Sequence, residues 1–160
     1  MIMLVPAKLE DAPALLDIQR RAFGALLEKY QDFDTNPAAE PLEKIQWRLN
    51  SPERDYWLIQ AEGQPVGLAC VRQSEKGRCV SPIGLLPEWQ GKGVGRQVMA
   101  LLEKSYPDDC YWELSTIFQE PGLCRFYESL GYKRTGSETQ VLPHMTVVGY
   151  EKYICKGEKA

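Results

Sequence analysis

Three closely spaced glycines at the start of a predicted helix constrain this chain more than any other feature. Gly91, Gly93 and Gly95 follow a strand-like run and open a segment with helical periodicity. Glycine destabilises a helix interior, so three of them so close together need a specific reason. The first N–H groups of a helix have no partner inside it and carry partial positive charge, and glycine lets a ligand approach them closely. The segment is therefore predicted to bind an anion such as a pyrophosphate, with Lys92 and Arg96 as cationic side chains at its rim.

Two other kinds of glycine loop do not fit this sequence. A nucleotide-binding P-loop ends in Gly-Lys-Ser or Gly-Lys-Thr, and neither tripeptide occurs. A dinucleotide-binding fingerprint needs a third glycine or alanine, but that position holds Arg96 when counted from Gly91 and Val98 when counted from Gly93. The alternative that the glycines only tighten a turn is less favoured, because of their cost to the helix.

The amino-acid composition argues against nucleic-acid-binding and membrane proteins. The charged residues, 19 Lys and Arg against 22 Asp and Glu, give a net charge of −3, whereas a large nucleic-acid footprint would show as a basic excess. No apolar run approaches the roughly 20 residues that span a bilayer. The first residues lack the basic and long apolar regions of a signal peptide. We therefore expect no nucleic-acid partner and no membrane partner.

The cysteines argue against disulfides and metal sites. They are odd in number and contain no Cys-x-x-Cys pair, so neither a disulfide framework nor a zinc site is expected. A reducing compartment, the cytoplasm, fits this pattern, and the sequence predicts no metal. The cysteines are Cys70, Cys79, Cys110, Cys124 and Cys155.

Hydrophobic periodicity predicts one domain, residues 1–160, in the order β α α β β β α β α β β. No repeat or Gly/Ser linker divides the chain. The predicted strands are residues 2–6, 56–61, 65–72, 79–86, 110–116, 133–141 and 146–155. The predicted helices are residues 8–23, 42–49, 91–106 and 122–130, and residues 28–41 are predicted to be irregular.

Two connections decide the predicted sheet. Glu62-Gly63-Gln64 joins two strands as a hairpin, which makes them antiparallel. The strand–helix–strand unit over 79–116 implies a parallel pair with a helical crossover. Pro82 cannot donate a ladder hydrogen bond and indicates a bulge or an edge in its strand. We therefore expect an α/β fold with a mixed, mostly antiparallel central sheet and helices on both faces.

Two segments resemble the GNAT family of N-acetyltransferases. Residues 90–95 (QGKGVG) match the family signature Gln/Arg-x-x-Gly-x-Gly/Ala, and the preceding LLPEW resembles its strand end and turn. Residues 126–132 (FYESLGY) resemble the family's later helix and following strand. The predicted element order also agrees with the family fold over nearly the whole chain. The resemblance implies a GNAT-like acyltransferase fold, in which the parallel strand pair splays apart.

The resemblance further implies that acetyl-CoA is the cosubstrate and that its acetyl group passes directly to an amine, carried by a small molecule or a peptide. Backbone N–H groups from Gly91 to Arg96, with Val94 among them, would hold the pyrophosphate. Ile83-Gly84-Leu85 would pair with the pantetheine amides, and the N–H near Leu85 would polarise the thioester carbonyl. No covalent enzyme intermediate is implied, so no cysteine is needed. The sequence leaves the oligomeric state open, and the resemblance adds a homodimer as a candidate, because dimers are common in the family.

By the same resemblance, Tyr127 matches the tyrosine that donates a proton to the departing thiolate, and a phenol is protonated at pH 7. The alternative is a core aromatic, since Leu123 and Leu130 share its helix face, and the two roles are compatible. The general base stays open between Glu113, His144, a water relay and no base. A solvated or salt-bridged glutamate and an exposed loop histidine are the competing interpretations of these two residues.

The sequence also departs from the family pattern. Many members carry a pantetheine-contacting asparagine six or seven residues before the tyrosine, where this chain has Pro121 and Glu120. Gln119 and Ser115 are candidates to replace it. The strand before the glycine loop also lacks a carboxylate that other members carry. These departures keep open a non-catalytic acyl-CoA-binding or sensing module; a nucleotide binder that uses the same anion site is less favoured.

The segment 28–41 is acidic and has two interpretations. Its carboxylates could form a negative wall that attracts a cationic amine acceptor. A solvated surface loop is the favoured interpretation. The residues concerned are Glu28, Asp32, Asp34 and Glu40.

Overall fold

The computed structural model describes residues 1–154, which form strands and helices in the predicted order. The strands are β1 (Ile2–Pro6), β2 (Arg54–Ala61), β3 (Gln64–Gln73), β4 (Arg78–Leu85), β5 (Tyr111–Ile117), β6 (Lys133–Leu142) and β7 (Met145–Tyr153). The α-helices are α1 (Ala12–Tyr30), α2 (Leu42–Leu49), α3 (Val94–Ser105) and α4 (Pro121–Ser129). Short 3-10 helices precede α1, α2 and α3.

A tight turn sets the first antiparallel pair of the sheet. Glu62 and Gly63 connect β2 to β3 with φ angles of 53° and 77°. Positive φ at both central residues gives the turn a twist that matches the flanking strands. The predicted hairpin is confirmed.

The sheet has the order β1-β2-β3-β4-β5-β7-β6. Neighbouring strands are antiparallel except β4 and β5, which run parallel. Within the described chain the β4–β5 register holds two residue pairs, of which Cys79–Glu113 is the second. Beyond it the strands continue separately to Leu85 and Ile117. The expected mixed sheet with a splayed parallel pair is therefore confirmed.

Strand β4 lies inside the sheet and pairs irregularly with β3. Ala69 lies opposite Ile83 and Val71 lies opposite Val80, so β4 carries an extra residue in this interval. The interval contains Pro82, which has no N–H to contribute to the ladder. Of the two expectations for Pro82, the bulge is confirmed and the edge is wrong.

Helices cover both faces of the sheet, as predicted. On the α1 face, α1 and α2 pack against Leu58, Leu68 and Cys70. On the α3 face, α3 and α4 pack against strand residues that include Trp112 and Leu114. The two faces divide the core into separate apolar clusters, because successive strand side chains point to opposite sides.

Helix α1 is longer than predicted, and α3 is shorter. The expected end of α1 at Phe23 is wrong, because good helix formers follow Gly24 and the helix continues to the buried Tyr30. Helix α3 begins three residues after the predicted start at Gly91, because the loop backbone before Val94 is not helical. In the last predicted strand, residues 146–155, Cys155 lies outside the described residues.

Candidate active site

The glycine loop lies between β4 and α3. Gly91 and Gly93 adopt φ angles of 73° and 81°, a region that glycine enters without steric cost. A Cβ atom built at either position would have no other atom within 4 Å. These two glycines therefore expose the loop backbone to the surroundings, where a ligand could approach it.

The N–H groups of this loop are unpaired. Within residues 1–154, none of the backbone N–H groups from Gly91 to Arg96 donates a hydrogen bond to the protein. The first such bond at the start of α3 joins the N–H of Gln97 to the carbonyl oxygen of Gly93 at 3.3 Å. Unpaired N–H groups at a helix N-terminus carry partial positive charge. The loop thus offers the donors that a pyrophosphate needs.

The third glycine has a packing role. Gly95 lies in the first turn of α3, and a Cβ atom there would be 3.1 Å from Cζ of Phe126 in α4. This distance is shorter than an ordinary van der Waals contact between carbon atoms. Gly95 therefore lets α4 pack closely beside the glycine loop.

Gln90 fastens the loop to the end of β4. Its side-chain amide nitrogen donates a hydrogen bond to the carbonyl oxygen of Leu85 at 2.9 Å. The position of Gln90 in the signature was the available signal for this contact, which was not predicted from the sequence. The bond holds the turn between strand and helix in one conformation.

The end of β4 leaves one edge open beside the loop. Ile83, Gly84 and Leu85 pair with β3 on one side, while β5 has diverged on the other. A free strand edge can pair with the amide groups of an extended ligand. A Cβ atom at Gly84 would be 2.7 Å from the ring of Phe23, so α1 packs directly on this part of β4.

The two cationic side chains at the loop are both exposed. The ammonium group of Lys92 lies 5.5 Å from the centre of the Trp89 ring. The guanidinium group of Arg96 donates a hydrogen bond to the hydroxyl of Ser129 at 2.8 Å. Arg96 therefore links the start of α3 to the end of α4, while the Lys92 side chain lies near Trp89 beside the loop.

Tyr127 is a core residue on the α3 face. Its side chain is 8% exposed, and its ring centre lies 5.0 Å from that of Phe126 and 6.0 Å from that of Tyr132. Burial raises the pKa of Tyr127 to about 12, so the phenol is protonated at neutral pH. Among residues 1–154 the hydroxyl has no hydrogen-bond partner. A protonated phenol that makes no hydrogen bond within the protein can donate one to a ligand.

Glu113 faces the other side of the sheet. Its neighbours Trp112 and Leu114 are buried on the α3 face, so strand alternation directs Glu113 to the α1 face, as predicted. It lies beside Cys79 on β4 and Glu151 on β7. Glu113 is therefore half-buried at the point where β4 and β5 begin to diverge.

His144 covers the end of α1. It lies in the turn between β6 and β7, with Nε2 2.9 Å from the carbonyl oxygen of Tyr30. Its ring stacks on that of Tyr30, with centres 6.1 Å apart and planes 5° apart. The imidazole is exposed but held in place, so it is not a freely moving loop side chain.

The residues near the missing asparagine have protein partners. The Gln119 side-chain oxygen accepts a hydrogen bond from the N–H of Thr146 at 2.9 Å. The carboxylate of Glu120 accepts hydrogen bonds from the Lys29 ammonium and the Tyr30 hydroxyl, each at 2.6 Å. Sequence reasoning missed the Glu120 contacts because their partners lie about 90 positions away and no local pattern connects them.

Part of the acidic segment points inward. Asp32 is 5% exposed and accepts a hydrogen bond from the side chain of Asn36 at 3.2 Å. Glu40 accepts two hydrogen bonds from Arg48, at 2.7 and 2.6 Å. The favoured interpretation of a solvated loop is therefore wrong for Asp32 and Glu40, which hold the segment against the protein, and right for the exposed Asp34.

Two kinds of feature are absent from residues 1–154. No group of three or more His, Cys, Asp or Glu side chains is arranged to hold a metal ion. No helix in this part of the chain is both long enough and apolar enough to cross a bilayer.

Comparison with known proteins gives sequence and structural relatives. Over 76 residues the chain is 37% identical to an aminoglycoside N(6')-acetyltransferase type 1 from Stenotrophomonas maltophilia, covering 41% of this chain. The matched part spans about half the length of that relative, 50%. The fold is similar to the ribosomal-protein-S18-alanine N-acetyltransferase of Escherichia coli, with a TM-score of 0.78, 16% identity and coverage of 100% and 99% of the two chains.

A second solved structure shares the fold. The PaiA N-acetyltransferase of Thermoplasma acidophilum, in complex with coenzyme A, gives a TM-score of 0.71 with 15% identity, covering 96% of this chain and 99% of that one. At these identities the structural likeness concerns the fold. The family profile described as "Acetyltransferase (GNAT) domain" matches residues 25–154, which is most of the chain. The chain therefore belongs to the GNAT family of acetyltransferases.

Proposed function

We propose that this protein is an N-acetyltransferase that moves the acetyl group of acetyl-CoA directly to an amine. The observation that carries the proposal is the run of unpaired N–H groups from Gly91 to Arg96 beside the open edge of β4. Together they form an anion site next to a strand edge, which suits a pyrophosphate joined to an amide-containing arm. The S. maltophilia relative and the coenzyme A complex of a structural neighbour support this assignment.

On the donor side, main-chain groups would do most of the binding. The N–H groups of Gly91 through Arg96 would donate hydrogen bonds to the pyrophosphate oxygens, with Lys92 adding positive charge at the rim. The edge of Ile83, Gly84 and Leu85 would pair with the pantetheine amides. An N–H group near Leu85 would then polarise the thioester carbonyl, where negative charge develops as the nitrogen attacks.

On the acceptor side, the reaction needs a neutral nitrogen. A lysine-like amine with a pKa of about 10.4 costs about 4.6 kcal/mol to deprotonate at pH 7, whereas a peptide α-amine costs only about 1 kcal/mol. As the C–N bond forms and the C–S bond breaks, the nitrogen loses a proton and the sulfur gains one. Glu113, or a water bound to it, would take the first proton, and Tyr127 would supply the second.

The acceptor is proposed to be a small-molecule amine. The relative from S. maltophilia is an aminoglycoside N-acetyltransferase by name, and aminoglycosides carry several amines that are cationic at neutral pH. Glu113 and Glu151 are adjacent on the α1 face of the sheet, where their charges would favour a cationic acceptor. A peptide α-amine is the competing acceptor, because one structural neighbour acetylates a protein alanine by name.

Calorimetric titration with acetyl-CoA, CoA and ATP tests the donor assignment. We expect both coenzyme forms to bind and ATP to bind much more weakly, because ATP has no pantetheine arm for the edge of β4. A thiol-release assay with an aminoglycoside, a polyamine and an alanine-starting peptide then tests turnover. Binding of ATP without binding of CoA would contradict the proposal.

A second candidate is a non-catalytic acyl-CoA-binding module. It is favoured by the absence of a carboxylate on β4 before the glycine loop and by the engagement of Gln119 and Glu120 with protein partners. The uncommitted hydroxyl of Tyr127 favours the enzyme. Tight acetyl-CoA binding with no thiol release across a broad amine panel would select the module.

We also propose the cytoplasm as the compartment of this protein. The described cysteines Cys70, Cys79, Cys110 and Cys124 are all free thiols. Free cysteines fit a reducing environment. Localisation of a tagged full chain by microscopy or fractionation tests this assignment.

A further inference from the structure

Helix α1 crosses the gap between the two splayed strands. Near its middle, Phe23 packs on Gly84 at the end of β4. At its C-terminus, Tyr30 binds Glu120, which follows β5 and directly precedes α4. Tyr30 lies seven positions after Phe23 on the helix, a rise of about 10 Å, whereas paired strands lie about 4.8 Å apart. The last two turns of α1 therefore span the wide end of the gap on the α1 face.

The far end of this span is held by a cluster of polar contacts, here called the Glu120 bridge. It comprises Lys29, Tyr30, Glu120 and His144. Both the Lys29 ammonium and the Tyr30 hydroxyl donate to the same carboxylate oxygen of Glu120 at 2.6 Å. His144 stacks on Tyr30 from the β6–β7 turn and lies 2.9 Å from its carbonyl oxygen. Three separate parts of the chain thus meet at one carboxylate and one phenol.

The Tyr30–Glu120 contact is more buried than an ordinary surface pair, whereas the Lys29 side chain is 59% exposed. Tyr30 is 3% exposed, and the Glu120 side chain is 21% exposed. Burial of the carboxyl group acts to raise its pKa, but the hydrogen bonds from Lys29 and Tyr30 outweigh this, so that the pKa of Glu120 is below its usual value. Burial and the bond to Glu120 raise the pKa of Tyr30. The bridge is therefore intact at neutral pH, with an ionised carboxylate and a protonated phenol.

Glu120 is also the N-cap residue of α4, directly before the first helical residue, Pro121. Its backbone carbonyl oxygen accepts hydrogen bonds from the N–H groups of Leu123 and Cys124, at 3.0 and 3.2 Å. Tyr127 lies one turn after Leu123 on the same helix. The side chain of Glu120 thus fixes α4 to α1, while its backbone begins the helix that carries the proposed acid.

We propose that Tyr30 and Glu120 are positioning residues, which hold α4 across the splayed gap so that Tyr127 faces the sulfur of the donor. This proposal rests on the proposed function for its catalytic part. Neither residue is expected to touch the reacting atoms. In this chain the bridge occupies the start of α4 with a protein contact, at the position where the resemblance implies a pantetheine-contacting asparagine.

Hydrogen exchange of the intact protein tests the structural part without any turnover. Tyr30→Phe keeps the ring stacked on His144 and removes only the hydroxyl, and Glu120→Ala removes the carboxylate. We expect each variant to speed exchange at the N–H groups of Leu123 and Cys124 by at least about five-fold. Glu138→Gln, which breaks the exposed Arg134–Glu138 pair on β6, is the control and is expected to leave α4 unchanged. Unchanged exchange in α4 for both bridge variants overturns the proposal.

Kinetics with the best amine of the panel tests the catalytic part. We expect Tyr30→Phe and Glu120→Ala each to lower kcat about ten-fold while the acetyl-CoA Kd changes less than two-fold. The double variant is expected to be no slower than the slower single variant, because the two residues act as one unit. Glu120→Gln, which keeps an oxygen acceptor, is expected to recover most of the rate. A loss of donor affinity with kcat unchanged overturns the proposal, since it makes Glu120 a donor-binding residue.

The two proposals fail in different ways. If the unmodified protein binds acetyl-CoA but releases no thiol, the enzyme assignment fails and the exchange measurement still decides whether the bridge holds α4. If the protein turns over normally and the bridge variants match it in both assays, the positioning role fails and the enzyme assignment stands.

Discussion

Glu113 and Tyr127 lie on opposite faces of the sheet, with β5 between them. Glu113 projects from β5 to the α1 face, while Tyr127 packs on the α3 face against the side that carries Trp112 and Leu114. The proposed base and the proposed acid would therefore reach the acceptor and the donor sulfur from opposite sides of β5. The splay between β4 and β5 begins beside Glu113, at the last residue pair of the two strands.

Replacing Tyr127 by phenylalanine is expected to lower kcat about 100-fold, in the range of a lost general acid. Acetyl-CoA affinity is expected to change little, because the ring keeps its contacts with Phe126 and Tyr132. Thiol release and calorimetry measure the two effects. Tyr132→Phe is the matched control: the buried Tyr132 hydroxyl has no hydrogen-bond partner within residues 1–154, so its loss is expected to leave turnover intact. An unchanged rate for Tyr127→Phe removes the acid role.

Replacing Glu113 by glutamine is expected to affect acceptors according to their basicity. An alkyl amine must lose a proton that it holds tightly, so its kcat/KM at pH 7 is expected to fall about 10- to 100-fold. A peptide α-amine is partly neutral at this pH and is expected to lose much less. Rates measured for both amines between pH 6 and pH 9 give the comparison, with Glu138→Gln as control. Equal losses for both amines argue against a base at this position.

Alanine at Gly91 is expected to combine two effects. A positive φ of 73° strains an alanine, which costs about 1–2 kcal/mol in unfolding free energy. The new methyl group would also project into the open space above the loop, so CoA binding is expected to weaken at least ten-fold. Gly136→Ala is the matched control, because Gly136 has a φ of 94° in open space on β6. The control is expected to lose similar stability while it binds CoA normally; equal CoA affinity in both variants contradicts the anion-loop assignment.

Removing Glu40 is expected to destabilise the fold strongly. Its carboxylate accepts two hydrogen bonds from Arg48 and a third from Gln19, and the Arg48 side chain is 10% exposed. Glu40→Ala leaves a nearly buried guanidinium unpaired, at a cost of about 3 kcal/mol. Urea unfolding followed by circular dichroism measures the change, and Glu43→Ala on the exposed side of α2 is the control. A cost below about 1 kcal/mol shows that the pair is solvated in solution.

Stability at acid pH is expected to depend on Glu120. Its pKa is lowered in the folded protein, so the folded state binds fewer protons than the unfolded state near pH 4. The stabilisation that ionised Glu120 contributes is therefore fully present above the pKa of about 4.3 in the unfolded state. It is lost as the pH falls through the lower pKa of the folded state. Glu120→Gln is expected to be less stable than the parent at pH 7 and to approach it in stability near pH 3. Urea unfolding across this range measures the difference, and a constant gap between the two proteins contradicts this assignment.

The local sequence determined the order of elements and the glycine loop. Apolar spacing located α2, β2, β3 and the β4–α3–β5 crossover to within a few residues, because amphipathic periodicity reflects burial on one face. The signature glycines located the loop, since their conformational cost needs a local reason. The same local reasoning ended α1 at Phe23, because the burial of Tyr30 depends on residues that lie far away in the chain.

The sequence by itself therefore determined the fold class, the loop with unpaired N–H groups and the strand alternation that turns Glu113 away from Trp112. Only the tertiary structure decided that Tyr30 donates a hydrogen bond to Glu120 and that Gly95 lets α4 pack closely against α3. It also decided that Glu40 turns inward to bind Arg48. Hydrophobic periodicity and turn chemistry depend on residues that are close together in the chain, so they can be recognised in the sequence itself. Contacts between residues far apart in the chain depend on how complete helices and strands pack, and no local pattern records them.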